Sequence, residues 1–185
     1  ILAFLDMLEL LSDAQVVSLD LTHAPRVTPE MSEDDIARIP EARKDYMQRL
    51  ATRQLPKEGK YEKIIFPLHF TNHWAVALFN VDTSVCEVWD SWDGEGGRHN
   101  RFIEAKRIIT EFNDESKATG EFGAQGCLGN LRFTEVLAGR ADHQDDGVAC
   151  AAFCCFYMMM RVFAGRSVAE VASDRLATPR GMNAF

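Results

Sequence analysis

The chain has 185 residues, 46% of them hydrophobic and 26% charged, with only 12 Gly and 6 Pro; this gives one domain enough apolar material for a core and excludes disordered, collagen-like and repeat architectures. Twenty Lys and Arg against 28 Asp and Glu leave a net charge of -8 with no local basic cluster, so nucleic acid is not expected as a partner. A partner with a basic face or tail suits such a surface better.

Ile1 to Leu11 places Leu2, Leu5, Leu8 and Leu11 at threefold spacing, with Phe4 and Met7 widening the stripe, and predicts a short amphipathic helix. Val16 to Leu21 alternates as a strand does, and His23 to Pro29 closes it as a loop. Ser32 before Glu33, Asp34 and Asp35 predicts a capped helix start, with the acids favoured in the first turn, and a second helical stretch is expected from about Ala42 to Thr52. Pro56 to Gly59 breaks the chain.

The middle predicts three strands, Lys63 to Phe70, Trp74 to Asn80 and Val85 to Asp90, the last two joined by a turn at Val81 to Ser84. Arg101 to Phe112 has helical periodicity, Asn113 to Asn130 is a glycine-rich connector, and Leu131 to Leu137 is a further strand. Gly139 to Gly147 is a polar loop leading into an apolar run, Val148 to Met160, that is too short to span a bilayer, where roughly 18 to 20 residues are needed, and is expected to be a buried helix. The pattern predicts an α+β fold in a single domain over 1–185, with neither a repeat nor a linker to divide it. The first residue is Ile rather than Met, as expected of a segment cut from a longer chain.

Five Cys, no Cys-x-x-Cys and no hydrophobic leader followed by a small-residue cleavage site lead us to expect a reducing intracellular compartment. Of the five, Cys150 stands where the polar loop enters the apolar helix, and a sulfur at the positive end of a helix dipole favours the reactive thiolate. Cys154 and Cys155, among Phe153, Phe156 and Met158, read as packing residues; free Cys is among the most buried residue types, so Cys150 taken singly is open to the same reading. Cys86, Cys127 and the Cys154-Cys155 pair lack zinc-ligand spacing, and neither a metal nor a cofactor is expected.

A nucleophile needs a base. His73 opens the Trp74 to Asn80 strand, Asp90 ends the neighbouring one, and pairing through the Val81 to Ser84 turn sets them side by side, so that Asp90 accepts from one imidazole nitrogen while the other faces Cys150. Two ordinary polar residues at a sheet edge would look the same. Gln144, six positions before Cys150, adds an amide that, with the Cys150 backbone N–H, makes an oxyanion hole.

Together these residues resemble the catalytic domain of the ubiquitin-like-protein-specific cysteine proteases, the SUMO protease family. The matching stretches are Ile64-Ile-Phe-Pro-Leu-His-Phe-Thr-Asn-His-Trp74, Val88-Trp-Asp-Ser91 and Gln144-Asp-Asp-Gly-Val-Ala-Cys150, in the order His, Asp, Gln, Cys, with similarity over about Tyr61 to Met160. The resemblance implies a papain-like fold, with a mixed or antiparallel central sheet flanked by helices and the nucleophile at a helix N-terminus. It implies cleavage after the C-terminal Gly-Gly of a modifier, SUMO first, by precursor processing or deconjugation from lysine. In that reading Cys150 attacks, His73 carries the proton, Asp90 orients His73, Gln144 stabilises the oxyanion, and Trp74 forms one wall of a tunnel that only glycine is thin enough to pass.

The sequence departs from the family pattern at Ala149 and Ala151, where the family has Asp and Gly, and lacks its Trp-Leu-Asn-Asp motif, which carries the other tunnel wall. The alternatives are therefore a protease for ubiquitin or another ubiquitin-like protein on the same scaffold, and a modifier-binding module without catalysis. The expected partner is SUMO or a related modifier and its conjugates, with no membrane partner, acting as a monomer in the nucleus or cytoplasm, unless the protein is a secreted effector.

Overall fold

The computed structural model describes residues 4–7, 16–21, 25, 30–54, 61–70, 72–92, 97–120, 126–136 and 149–162. Five strands, β1 (Val16–Ser18), β2 (Lys63–Phe70), β3 (His73–Asn80), β4 (Val85–Trp89) and β5 (Arg132–Val136), form one sheet in the order β1-β2-β3-β4-β5. Three helices, α1 (Glu33–Gln54), α2 (Gly97–Ala118) and α3 (Cys150–Val162), accompany it, and residues 4–7 are helical. The architecture is α+β with a mixed sheet: β1 pairs parallel with β2 and β4 with β5, whereas β3 runs antiparallel to both its neighbours.

Strand direction explains where the helices lie. β1, β2, β4 and β5 run the same way, so β1-α1-β2 and β4-α2-β5 are two crossovers that step the same way across the sheet. Right-handed connections then place both helices on one face. Met47 and Leu50 of α1 and Ala105, Ile108, Ile109 and Phe112 of α2 do pack together, over Ile64, Phe66, Ala77, Phe79 and Val88. The opposite face carries Val16, Ile65, Val76, Leu78, Trp89 and Val136, covered by Phe153, Cys154, Tyr157 and Met158 of α3. With both faces buried the central strands read as near-continuous apolar runs, the period-2 alternation sorting residues between two cores rather than between core and solvent.

Pro67, inside a central strand, is accommodated by register. Ile65 points its polar groups toward β1, since its carbonyl accepts the Leu19 N–H at 2.8 Å. Pro67, two residues on, faces the same way, beyond the last β1 pairing of Ser18 with Ile65. Its missing N–H falls where the ladder has ended.

Several elements differ from the sequence expectation. The two stretches anticipated around Ser32 and Ala42–Thr52 are one helix with Pro40 inside it. Ser32 caps it as expected, its Oγ accepting the Asp35 N–H at 3.2 Å and donating to Asp35 Oδ2 at 2.6 Å. α2 is longer than Arg101–Phe112 at both ends. At its C-terminal end the buried side chains of Asn113 and Ser116 substitute for apolar packing by bonding the backbone of 127–129: Asn113 Oδ1 accepts from Leu128 N–H at 3.0 Å, Asn113 Nδ2 donates to the Gly129 carbonyl at 3.3 Å, and Ser116 Oγ accepts from Cys127 N–H at 2.9 Å. β1 is shorter than Val16–Leu21, although Leu19 and Leu21 are fully buried. Of the helix anticipated at Ile1–Leu11 the described part, residues 4–7, is helical; the remainder, like the loop at Gly139–Gly147, lies outside the described residues. No described helix is long and apolar enough to cross a membrane.

Candidate active site

The C-terminal end of β4, the N-terminal end of β3 and the N-terminus of α3 meet at one end of the sheet, the end to which the parallel strands point. His73 is the first residue of β3, and Asp90 follows the last residue of β4. The β3–β4 register sets Val76 opposite Trp89. One step further Asp90 falls opposite Ala75, on the sheet face shared with His73 and diagonal to it. There the two side chains meet: His73 Nε2 lies 2.6 Å from Asp90 Oδ1, with both residues buried.

Cys150 begins α3 and is buried. Its Sγ accepts the backbone N–H of Trp74 at 3.4 Å, which places the sulfur directly beside His73 in the chain. Nε2 is the ring nitrogen of His73 that meets Asp90. α3 is pinned by Trp89, whose ring stacks on Tyr157 at 4.9 Å, and by Glu87 of β4, which takes both a Tyr157 hydroxyl bond at 3.1 Å and a forked contact from Arg161, closest at 2.6 Å. The helix N-terminus is thereby located by packing along its whole length.

Asp90 is held by more than His73. The Trp92 N–H donates to Oδ1 at 3.0 Å, and Arg101 Nε, from the second turn of α2, donates to Oδ2 at 2.5 Å. Burial pushes the Asp90 carboxyl up, but the bonds from His73, from the Trp92 N–H and from Arg101 outweigh it and hold the group below its ordinary range. Asp90 is therefore a carboxylate wherever the protein is folded near neutral pH. Arg101 also donates to the Trp92 carbonyl at 2.5 Å and lies 5.5 Å from the centre of the Trp92 ring, which in turn sits 5.6 Å from the His73 ring.

Of the residues predicted from sequence, His73 and Asp90 are in direct contact, and Cys150 meets the backbone of Trp74, the residue that follows His73. Trp74 adjoins them, half-buried against the α3 core cluster with its ring 4.6 Å from that of His69. Gln144 lies outside the described residues. Cys154 is fully buried and its thiol is pushed well up, burial first and the neighbouring Cys150 and Asp90 adding to it, as suits a packing residue. Burial likewise raises Cys86, and raises Cys127 to about 11. Among the described residues no group of His, Cys, Asp and Glu has the arrangement to hold a metal ion. Sequence reasoning missed Arg101 and Trp92. Arg101 reads as one more polar position at the start of a periodic helix, and nothing in its spacing marks it as the partner of Asp90.

No protein-family model and no curated protein matches the sequence. The fold does have counterparts, which are consistently Ulp1-like SUMO protease catalytic domains. SUMO protease Ulp1 with its catalytic cysteine oxidised to a sulfenic acid matches 97% of this chain and 75% of its own, with a TM-score of 0.55 and 14% identity. The C-terminal Ulp1 protease domain in complex with Smt3, the yeast ortholog of SUMO, matches 92% of this chain and 67% of its own, with a TM-score of 0.57 and 13% identity. A third, Ulp1 with the catalytic cysteine oxidised to a sulfinic acid, gives 0.53 and 16% over 95% of this chain and 70% of its own. At these identities the likeness is one of fold, and it agrees with the resemblance carried by the motifs.

Proposed function

We propose that this protein is a cysteine peptidase that cleaves after the C-terminal Gly-Gly of a ubiquitin-like modifier, with SUMO the first choice of substrate, in precursor processing or in release from a substrate lysine. The observation that carries the reading is the meeting of Cys150 Sγ, at the start of α3, with the backbone of Trp74 in β3, next to the buried His73–Asp90 pair. The SUMO protease fold supports the choice of substrate class, as does the acidic surface, which suits a modifier with a basic face.

The residues define the steps. The Cys150 proton passes to His73 Nδ1, and the thiolate attacks the glycine carbonyl carbon. His73, held in one tautomer by Asp90, returns the proton to the departing amine as the thioester forms; water then attacks the thioester, losing its proton to His73, and the carboxylate and the Cys150 thiol are released. The oxyanion of each tetrahedral intermediate is met by the Cys150 backbone N–H at the helix start and by the Gln144 amide. Trp74 forms a wall against the passing Gly-Gly. The chain acts as a single domain and a monomer, within the nucleus or cytoplasm.

The test is incubation with a panel of ubiquitin-like modifiers bearing a C-terminal electrophile, followed by intact mass and a digest to locate the adduct. An adduct on Cys150 with SUMO is expected. An adduct with ubiquitin or another modifier alone would keep the chemistry and change the substrate. Reaction with none, alongside non-covalent binding of one, would replace the peptidase by a modifier-binding module.

A further inference from the structure

We infer that Arg101 is a positioning residue of the site, one that fixes the carboxylate of Asp90 and, with Trp92, the orientation of the His73 ring. The inference rests on the peptidase reading for its consequence but not for its geometry.

A buried carboxylate needs a partner for each oxygen. His73 and the Trp92 N–H occupy Oδ1, and among the described residues Oδ2 takes its bond from Arg101. Charge neutralisation alone would be served by any cation. The contacts of Arg101 ask for more: Nε meets Asp90 while Nη2 meets the Trp92 carbonyl, and the guanidinium lies over the indole that flanks His73. Only a planar fork makes all three at once, because a lysine ammonium is a point charge on a flexible stem. The fork thus ties the three residues beyond β4, Asp90 to Trp92, and the first turns of α2 into one unit. His73 is held between Asp90 on one side and the Trp92 ring on another.

Gly97 belongs to the same device. A Cβ placed there would lie 2.5 Å from Arg101 Nη1, the far end of a flexible side chain, so the guanidinium would have to shift to make room for it. An alanine at the first position of a helix is otherwise harmless. Gly97→Ala therefore displaces the fork without deleting it.

The experiment compares wild type with Arg101→Gln, Arg101→Lys and Gly97→Ala in three measurements: the thermal midpoint, the tautomer of His73 by nitrogen-15 NMR of the ring, and the rate at which iodoacetamide alkylates Cys150, located by digest. Wild type is expected to hold His73 with Nε2 protonated toward Asp90. Arg101→Lys and Gly97→Ala are expected to stay folded, to mix the two tautomers and to slow Cys150 alkylation at neutral pH by about tenfold or more, as a misdirected imidazole does. A His73 spectrum and an alkylation rate equal to wild type in folded Arg101→Lys and Gly97→Ala would overturn the inference and leave Arg101 as charge compensation. If Arg101→Gln does not fold, the other two variants decide. Should wild-type Cys150 react no faster than a free thiol, the peptidase reading falls, and the His73 tautomer still judges Arg101 by itself.

Discussion

The backbone of Trp74 is clasped by two cysteines one helical turn apart: its N–H donates to Cys150 Sγ at 3.4 Å, and its carbonyl accepts from Cys154 Sγ at 3.4 Å. Through that one residue α3 is registered on β3, and the sulfur of Cys150 is set beside His73. Both thiols are buried, Cys150 at the start of the helix and Cys154 one turn deeper in the core.

Cys150→Ser and Cys154→Ser should therefore part company. The first is expected to abolish cleavage and electrophile labelling while leaving the thermal midpoint near wild type. The second places a hydroxyl in a fully buried site and is expected to cost about 1–3 kcal/mol of stability with labelling of Cys150 retained. Equal loss of labelling in two well-folded variants would contradict the choice of nucleophile.

Asp90 makes the fold sensitive to acid with a definite sign. Its carboxyl is held below its ordinary value in the folded protein, so the stability it contributes is fully present above the unfolded value, about 3.9, and is lost as pH falls through the lower folded value. Unfolding midpoints measured at intervals from pH 6 to pH 2.5 should fall more steeply for wild type than for Asp90→Asn, which has no proton to take up at this position. Parallel curves would show that Asp90 has the same acidity folded and unfolded.

Gln144→Ala should lower turnover on the order of a hundredfold, as expected for the loss of an oxyanion donor, with little change in the affinity for a non-cleavable modifier. Steady-state rates on a fluorogenic modifier derivative, set beside binding of the intact modifier, separate the two effects. An unchanged rate would remove Gln144 from the mechanism.

Far from the active site, Gly126 is predicted to be irreplaceable. It has a φ of +72°, and an added Cβ would lie 2.7 Å from Asn113 O, Asn113 Oδ1 and Ser116 Oγ. Gly126→Ala must both strain the backbone, by about 1–3 kcal/mol, and push apart the two side chains that satisfy the 127–129 backbone. A thermal midpoint several degrees lower, with unaltered alkylation of Cys150, is the expected result.

The strands, the buried nature of the last helix and the pairing of His73 with Asp90 are legible in the amino-acid order, because period-2 runs broken by a turn at Val81–Ser84 set register, and register sets which side chains are diagonal neighbours. The cap at Ser32 is equally local. The union of the two stretches around Pro40 is not, since propensity argues for a break and the packing of Met47 and Leu50 on the sheet overrides it. Nor is the full length of α2, whose last turns are held by side-chain bonds from Asn113 and Ser116 to a loop distant in sequence. What the sequence by itself determined was the inventory of the site: a thiol entering a helix, an imidazole and a carboxylate on neighbouring strands. What only the tertiary structure decided was the approach of α3 to β3, which brings Cys150 to Trp74 across 76 residues, and the reach of Arg101 to Asp90. Both are contacts between surfaces chosen by the fold as a whole, and no local spacing encodes them.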